Sequence, residues 1–276
     1  MERARDPQPT DGDRVYHYAV ERELADRLRS ASKAERLDGL YASIYAERID
    51  RIPNHPLVIR SHNPKARERS AAEQLRLLSS WLTPESVFME VGPGDCALAF
   101  AIASFVKAVY AVDVTDALVG DVRRPANFRF LRSDGVNVPL PASVVDLAYS
   151  NQVLEHLHPD DVHDHLLSIR TALVAGGRLV CVTPNRLSGP WDISRDFDDE
   201  SAGLHLREYT VSELADLLRA TGFRVDLVAS WRGRGTRRVS QAPIRALENR
   251  IERLPRRVRR LLASPLSALK LVATKT

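Results

Sequence analysis

The chain has 276 residues, of which 44% are hydrophobic, and this is enough for one core of ordinary size with additional segments. No apolar run approaches the roughly 20 residues that a membrane-spanning helix needs, and two cysteines are too few for a disulfide framework. The formal charge of +4 hides an asymmetry, because residues 231–260 hold eleven arginines against two glutamates and the remainder of the chain is acidic by five charges.

The N-terminal region precedes any strand pattern and is expected to be helical. Residues 1–14 are polar and contain two prolines, which predicts a disordered start rather than a secretory signal. Residues 15–65 carry apolar side chains at helical spacing in two blocks, beginning with Val20, Leu24 and Leu28. We interpret them as a helical N-terminal cap over the site of the domain that follows. A helical extension without contact to substrate is the alternative.

A β-turn-α-β pattern opens the main domain, which we place at residues 66–276. Val87–Val91 is typical of a buried parallel strand, Gly92-Pro93-Gly94 predicts a tight turn, and residues 97–106 predict a helix. A second strand, 108–112, ends in Asp113. Glycines in such a turn let the backbone approach a ligand, and a carboxylate after the second strand is placed to bind a ribose diol. The pattern therefore predicts a nucleotide-like cofactor.

Two cofactors fit this spacing, and the charges at the turn favour one of them. A nicotinamide dinucleotide would place its pyrophosphate at the turn, where Glu90 and Asp95 would repel it. S-adenosylmethionine carries no phosphate, and its sulfonium and ammonium groups are cationic. We therefore predict S-adenosylmethionine as the cofactor, with a nicotinamide-dependent Rossmann oxidoreductase as the alternative.

The downstream segments continue the alternation of strands and helices. Strands are predicted at 128–131, 144–150 and 178–183, followed respectively by Ser133-Asp134-Gly135, by residues 151–157, and by Pro184. Together with the stretch from Glu90 to Gly94, these segments resemble the class I S-adenosylmethionine-dependent methyltransferases of the small-molecule type. The resemblance covers roughly residues 66–231 and a final strand. It implies an α/β fold, namely a Rossmann-like seven-stranded sheet with helices on both faces, beside the helical N-terminal cap.

The resemblance also implies which residues bind the cofactor. They lie at the ends of the first four strands: Glu90, Gly92 and Gly94 after the first, Asp113 and Val114 after the second, Asp134 and Gly135 after the third, and Asn151 after the fourth. Cys96 departs from the family pattern, because a third glycine is usual there. Cysteine is small, so we expect an altered helix start without loss of binding.

Two histidines are predicted to be catalytic. Methyl transfer requires the acceptor to be held near the methyl group, and a base is needed only when the acceptor loses a proton. His156 follows the fourth strand and His205 lies in the loop after the fifth. A structural role is the alternative for each. The histidines at 156, 158, 163 and 165 show no i, i+4 spacing, so we predict no metal site.

The predicted enzyme methylates an oxygen, with nitrogen or carbon less favoured, of a small or medium acceptor. We expect the basic insertion, 232–263, to form a helical flap facing an anionic partner, either a phosphorylated or carboxylated acceptor or an acidic membrane surface. A solvated insert or a dimer contact is the alternative. Nucleic acid is disfavoured because no aromatic residue is interleaved with the arginines after Trp231. An RNA or protein methyltransferase and a non-catalytic cofactor-binding subunit are further alternatives. We expect a cytoplasmic location and predict no oligomeric state.

Overall fold

The computed structural model describes residues 10–230 and 236–276 and contains one eight-stranded sheet. The strand order is β3-β2-β1-β4-β5-β8-β6-β7. The strands are β1 (Val87–Val91), β2 (Ala108–Asp113), β3 (Phe128–Arg132), β4 (Val145–Asn151), β5 (Leu173–Val182), β6 (Phe223–Ser230), β7 (Thr236–Val239) and β8 (Leu269–Lys275).

The sheet confirms the predicted Rossmann-like architecture and extends it by one strand. Strands β1 to β5 pair in parallel, whereas β8 pairs antiparallel with both β5 and β6. The expected seven strands therefore form a mixed sheet. The eighth, β7, lies within the basic insertion and pairs antiparallel with β6 at the edge. Sequence periodicity did not predict β7 because four residues, three of them polar, give too short a pattern.

Helices cover both faces of the sheet. Because alternate strand residues point to opposite faces, neighbouring residues of one strand pack against different helices. The helices are α1 (Asp11–Ser30), α2 (Lys33–Glu35), α3 (Tyr41–Arg51), α4 (Pro56–Ser61), α5 (Pro64–Leu78), α6 (Ala97–Ala103), α7 (Pro159–Ala172), α8 (Val211–Ala220), α9 (Gln241–Glu252) and α10 (Arg256–Ala263). Met89 and Val91 of β1 belong to the same apolar cluster as residues of α1, α3, α7 and α8. Phe88 belongs to the cluster formed with α5 and α6.

The N-terminal helices are packed into this core. A kinked segment, Arg36–Leu40, connects α2 to α3, and Gly39 at the kink has φ +94°. Within it, the buried guanidinium of Arg36 donates two hydrogen bonds to the buried carboxylate of Asp161 in α7, at 2.6 and 2.9 Å. The hydroxyl of Tyr41 donates to the same carboxylate and accepts from the backbone of His158. Two elements far apart in sequence are thereby fixed to each other beside the carboxyl ends of the strands.

Residues 11–14, which were expected to belong to a disordered start, are helical. Thr10 and Asp13 form a capping box, in which the Thr10 side chain accepts from the Asp13 backbone and the Asp13 side chain accepts from the Thr10 backbone. Helix α1 consequently begins at Asp11, so residues 11–14 are helical. The polar composition of residues 1–14 does not reveal this capping box. Residues 1–9 lie outside the described part of the chain.

The basic insertion packs against α8 and the loop after β5. Glu248 of α9 is buried, and its carboxylate accepts hydrogen bonds from the backbone amides of Val211 and Ser212 at the start of α8. A small apolar cluster joins Ile251 to Leu187 of that loop. The insertion is thus held in place by burial and capping. Residues 231–235, where the insertion begins, are outside the described residues.

Candidate functional site

Two adjoining cavities open at the carboxyl ends of the parallel strands, where open α/β sheets bind ligands. The smaller cavity, of about 150 Å³, is lined by residues from the ends of β1, β2 and β3 and by one face of α3. The larger cavity, of about 620 Å³, is lined by α1, α4, α5, the turn after β1 and the loops after β4 and β5. Both cavities share Gly92, Gly94, Arg48, Gln152 and His156.

The turn between β1 and α6 contains two glycines that lie in different surroundings. A Cβ on Gly92 would lie 2.4 Å from the side chain of Val153, so that glycine permits close packing. Gly94 has φ +57°, and a Cβ there would meet no atom within 4 Å, so it borders open space. Cys96 also adopts a left-handed conformation, with φ 56°, where the family pattern has glycine. Cys96 thus takes a backbone conformation that glycine adopts readily, at the position before α6.

Glu90 contributes an unsatisfied carboxyl group to the larger cavity. Burial raises the pKa of Glu90 to about 8, and the neighbouring charges of Asp95 and Asp113 add to the effect. Its Oε2 atom is buried and has no hydrogen-bond partner among the described residues. Asp95 differs, because it pairs with Arg67 at 3.2 Å and caps the amide of Ala97. Of the two acids at this turn, Glu90 is therefore the one whose buried charge a cationic ligand would compensate.

Asp113 lies in the smaller cavity and organises the loop around it. Its carboxylate accepts from the backbone amides of Val114 at 2.7 Å and, more weakly, of Gly94 at 3.4 Å and Thr115 at 3.5 Å. Burial raises the pKa of Asp113 to about 6, although these amides act in the opposite direction. The carboxylate thus joins the two loops that border the cavity.

Of the two predicted cofactor residues after β3, the structure places one in the lining of the smaller cavity and the other outside it. Gly135 lines the smaller cavity, and a Cβ there would lie 2.7 Å from the ring of Tyr41. Asp134 lines neither cavity, because its carboxylate accepts from the amides of Val136 and Asn137 and from the Asn137 side chain. Asp134 is therefore a turn-forming residue in this structure. The sequence predicted a ligand contact because an aspartate after a strand can either bind a ligand or stabilise its own turn.

His165 supplies a polar group to the smaller cavity that the sequence did not indicate as a binding residue. Its Nδ1–H donates to the carbonyl of Val136 at 2.9 Å, and its buried Nε2 has no partner among the described residues. Burial lowers the pKa of His165 to about 4, so the ring is neutral near pH 7. Nε2 is consequently a hydrogen-bond acceptor.

His156 and His205, the two predicted catalytic residues, meet at the larger cavity. Their rings are edge to face with centroids 4.8 Å apart. Burial and the nearby charge of His205 lower the pKa of His156 well below its usual value. Burial also opposes charging of His205, but the hydrogen bond to Glu208 and the charges of Glu155 and Glu208 outweigh it and raise its pKa. Asn151 lies on the same wall and donates to the side chain of Gln74.

Comparison with known proteins agrees with this geometry. Residues 89–181 match the family model described as a methyltransferase domain. A Mycolicibacterium smegmatis protein named "Probable S-adenosylmethionine-dependent methyltransferase" is 31% identical over 139 residues, which are 50% of this chain and 52% of that protein. A Mycobacterium tuberculosis protein of the same description is 32% identical over 136 residues, or 49% and 47% of the two chains. The chain thus spans about half the length of these curated relatives.

This chain contains a class I S-adenosylmethionine-dependent methyltransferase domain. Solved structures share its fold. An S-adenosylmethionine-dependent methyltransferase from Archaeoglobus fulgidus is 19% identical, with a TM-score of 0.52 over 76% of this chain and 94% of that one. A Haemonchus contortus phosphoethanolamine N-methyltransferase, in complex with phosphoethanolamine and S-adenosylhomocysteine, is 15% identical, with a TM-score of 0.59 over 88% of this chain and 50% of that one.

S-adenosylmethionine is the cofactor of this methyltransferase domain, and the described residues fit it. The smaller cavity offers a carboxylate, the Asp113 side chain, and an unpartnered acceptor, His165 Nε2, for a nucleoside. Glu90 lines the larger cavity, and its buried, unpartnered Oε2 would suit a cationic group of the cofactor. Because these acids lie around a turn with open space at Gly94, the predicted preference over a pyrophosphate is physically consistent.

The N-terminal helices contribute directly to both cavities. Tyr45 and Arg48 of α3 line the smaller cavity, and His17 and Glu21 of α1 line the larger one. The sequence predicted only that these residues lie in helices. Their ligand-facing positions depend on how the helices pack over the sheet, and no local pattern reports that packing. No helix among residues 10–230 and 236–276 is long and apolar enough to cross a membrane.

Proposed function

We propose that this protein transfers the methyl group of S-adenosylmethionine to an oxygen of a small or medium acceptor bound in the larger cavity. The observation that carries the proposal is the shared wall of the two cavities, at Gly94 and His156. Bound S-adenosylmethionine supplies an electrophilic methyl group on a sulfonium. The acceptor hydroxyl loses its proton as the new oxygen–carbon bond forms, and the sulfur keeps the electrons of the broken carbon–sulfur bond.

The residues of the smaller cavity are assigned to the cofactor. Asp113 accepts hydrogen bonds from the ribose hydroxyls, and Val114 and Gly135 border the adenine. His165 Nε2 accepts from the adenine amino group, which is the contact that Asp134 was expected to make. Glu90 and Asn151 lie on the side of the amino-acid portion, where Glu90 faces positive charge. A neutral acceptor nitrogen and a buried carboxylate thus serve opposite ends of one ligand.

Arginines in the lining of the larger cavity support an anionic acceptor, and they lie among five acidic residues of the same lining. Arg60 and Arg195 line it, and the ring of Trp191 lies 5.2 Å from the guanidinium carbon of Arg195. The pKa of Arg260 in α10 is lowered by burial and by the charges of Arg195 and Arg256. A phosphorylated or carboxylated acceptor would be stabilised there by charge-assisted hydrogen bonds. The cavity volume is within the range of small-molecule sites.

The outer surface of the insertion supports a second partner, an anionic membrane surface. The side chains of Val258, Leu261 and Leu262 are exposed by 44%, 74% and 48%, and Leu247 and Leu254 are also exposed. Exposed Arg257 is adjacent. Apolar residues beside arginines on one helix are typical of an interfacial helix that lies on a bilayer. We also propose a cytoplasmic location, for which two buried free cysteines are suitable.

Transfer of a labelled methyl group tests the function. The protein is incubated with methyl-labelled S-adenosylmethionine and hydroxylated acceptors that carry phosphate or carboxylate, beside neutral counterparts, amines, an RNA and a protein mixture. We expect label on the anionic hydroxylated acceptors. Label only on RNA or protein would favour those alternatives. Binding without transfer to any acceptor would favour a non-catalytic subunit, and stabilisation by NADH alone would favour an oxidoreductase.

Two variants connect the activity to the site. His156→Ala and His205→Ala should each lower turnover by about 10²- to 10⁴-fold. His205→Ala should change the affinity for S-adenosylmethionine little, because His205 lines only the larger cavity, whereas His156 also borders the smaller one. His163→Ala is the matched control, because His163 is exposed and lines neither cavity. Near-normal turnover in both active-site variants would contradict the assignment.

A further inference from the structure

Three side chains meet at the acceptor end of the larger cavity. Glu155 and His156 lie in the short helical turn Leu154–His156 after β4, and His205 lies in the loop between β5 and α8. One potential ligand atom from each lies within 4.8 Å of the other two. Two imidazoles and one carboxylate at this separation are a common metal-ligand set.

The hydrogen bonds of the two histidines leave one nitrogen of each with a free lone pair. The Nδ1 of His156 lies 2.8 Å from the carbonyl oxygen of Leu204, and a carbonyl can only accept, so Nδ1 carries the proton. The Nδ1 of His205 lies 2.7 Å from the carboxylate of Glu208, which also accepts from the amide of Trp191. In its neutral form each ring therefore presents an unprotonated Nε2. Metal-binding histidines are usually fixed in this way by a carbonyl or carboxylate behind the ring.

Glu155 provides a second and independent observation. Its side chain is fully buried, and Oε2 accepts from the hydroxyl of Thr183 at 2.9 Å. Its other oxygen, Oε1, is buried and has no partner within residues 10–230 and 236–276. Leaving a carboxylate oxygen unpaired in a protein interior is costly, whereas coordination to a cation satisfies it.

A second cluster on the same cavity shows why this arrangement is distinctive. His17, Glu21 and His55 are equally close to one another. However, the amide of Leu57 donates to the Nδ1 of His55 at 3.1 Å, so neutral His55 carries its proton on Nε2, which lies 3.4 Å from Glu21. That nitrogen donates a hydrogen bond and has no lone pair for a metal. The second cluster is therefore a hydrogen-bonded group.

We propose that Glu155, His156 and His205 bind one divalent first-row transition-metal ion at the acceptor end of the larger cavity. Two nitrogen ligands and one oxygen favour ions such as Zn²⁺ or Co²⁺ over Mg²⁺, which prefers oxygen. The prediction that no metal site exists was based on the spacing of four nearby histidines. Of those four, this site uses His156 alone, and its other ligands are Glu155 and His205, which is 49 positions further along the chain.

The role of this ion rests on the function proposed above. Three protein ligands leave coordination positions open, and His156 and His205 line the cavity that receives the acceptor. An acceptor hydroxyl at an open position would have a lower pKa, as water does on a bound metal ion. The two histidines would then activate the acceptor through the ion rather than by removing its proton themselves.

Metal binding is measured on the full chain, free of any affinity tag and stripped with a chelator. Calorimetric titration with Zn²⁺ and Co²⁺ should give one equivalent per chain, and Mg²⁺ should bind at least about 100-fold more weakly. Bound Co²⁺ should show visible absorption typical of nitrogen and oxygen ligands. Glu155→Gln and His205→Ala should each weaken Co²⁺ binding by about 100-fold or more. His17→Ala, from the second cluster, and His163→Ala, on the surface, should leave binding unchanged.

S-adenosylhomocysteine affinity is recorded for each variant as a check that the methyltransferase domain is folded, and it should stay within about threefold of the parent. Absence of stoichiometric binding, loss of binding in His17→Ala only, or equal affinity for Mg²⁺ and Co²⁺ would overturn the proposal. If the metal binds as expected but no acceptor is methylated, the metal site stands and the proposed function fails. If methylation occurs in chelator-stripped protein at the full rate, the role of the ion fails.

Discussion

The buried carboxyl group of Glu90 should make the stability of the cofactor-free protein fall as the pH rises. Its pKa is raised from 4.5 to about 8, chiefly by burial. Because the folded-state pKa lies above the unfolded value, the folded protein holds the proton more tightly. The contribution of Glu90 is therefore fully present below about pH 4.5 and is lost as the pH rises towards about 8.

The magnitude follows from the linkage between protonation and folding. Each pH unit inside this window costs at most about 1.4 kcal/mol, so a change from pH 5.5 to pH 7.5 costs about 2.7 kcal/mol through this group. For a domain of this size that is roughly 5 °C in Tm. Glu90→Gln cannot ionise, and its Tm should fall less than that of the parent by about this amount across the same range.

Thermal unfolding of both proteins from pH 5.5 to pH 7.5, without and with S-adenosylmethionine, provides the measurement. Glu85→Gln is the matched control, because Glu85 is exposed near the start of β1. The cofactor should stabilise the parent more than Glu90→Gln, since its cationic groups compensate the Glu90 charge. Identical pH slopes in the parent and Glu90→Gln would refute the assignment of a protonated Glu90.

Three further changes test the cofactor site and the outer surface. Asp113→Asn should weaken S-adenosylmethionine and S-adenosylhomocysteine together by about 10- to 100-fold in calorimetry, because a charged hydrogen bond is worth about 1.5–3 kcal/mol; unchanged affinity would argue against ribose contact. His165→Leu should remove the preference of the protein for S-adenosylhomocysteine over its 6-oxo inosine analogue, and a preserved preference would exclude the adenine contact. Replacing Leu261 and Leu262 by aspartate should abolish sedimentation with phosphatidylserine vesicles without altering cofactor affinity, whereas sedimentation equal to that of the parent would contradict membrane contact.

The strand and turn pattern around Glu90 to Asp113 could be predicted because it is local. Apolar runs of five residues form buried strands, and a glycine pair with positive φ forms the turn between β1 and α6. The acidic charge of this turn, read from the sequence, also distinguished a sulfonium cofactor from a pyrophosphate. The adenine side was harder, because an aspartate such as Asp134 can contact a ligand or stabilise its own turn with the same carboxylate.

The amino-acid sequence by itself determined the class of fold, the family and the cofactor, since each is encoded in short segments whose geometry depends on neighbours along the chain. Tertiary structure alone decided that Tyr45 and Arg48 line the smaller cavity and that Glu155 and His156 meet His205. It also placed His165, whose buried Nε2 has no partner among the described residues, in the lining of the smaller cavity. Such contacts join residues from distant segments, and they arise from the packing of helices over the sheet, which no single segment specifies.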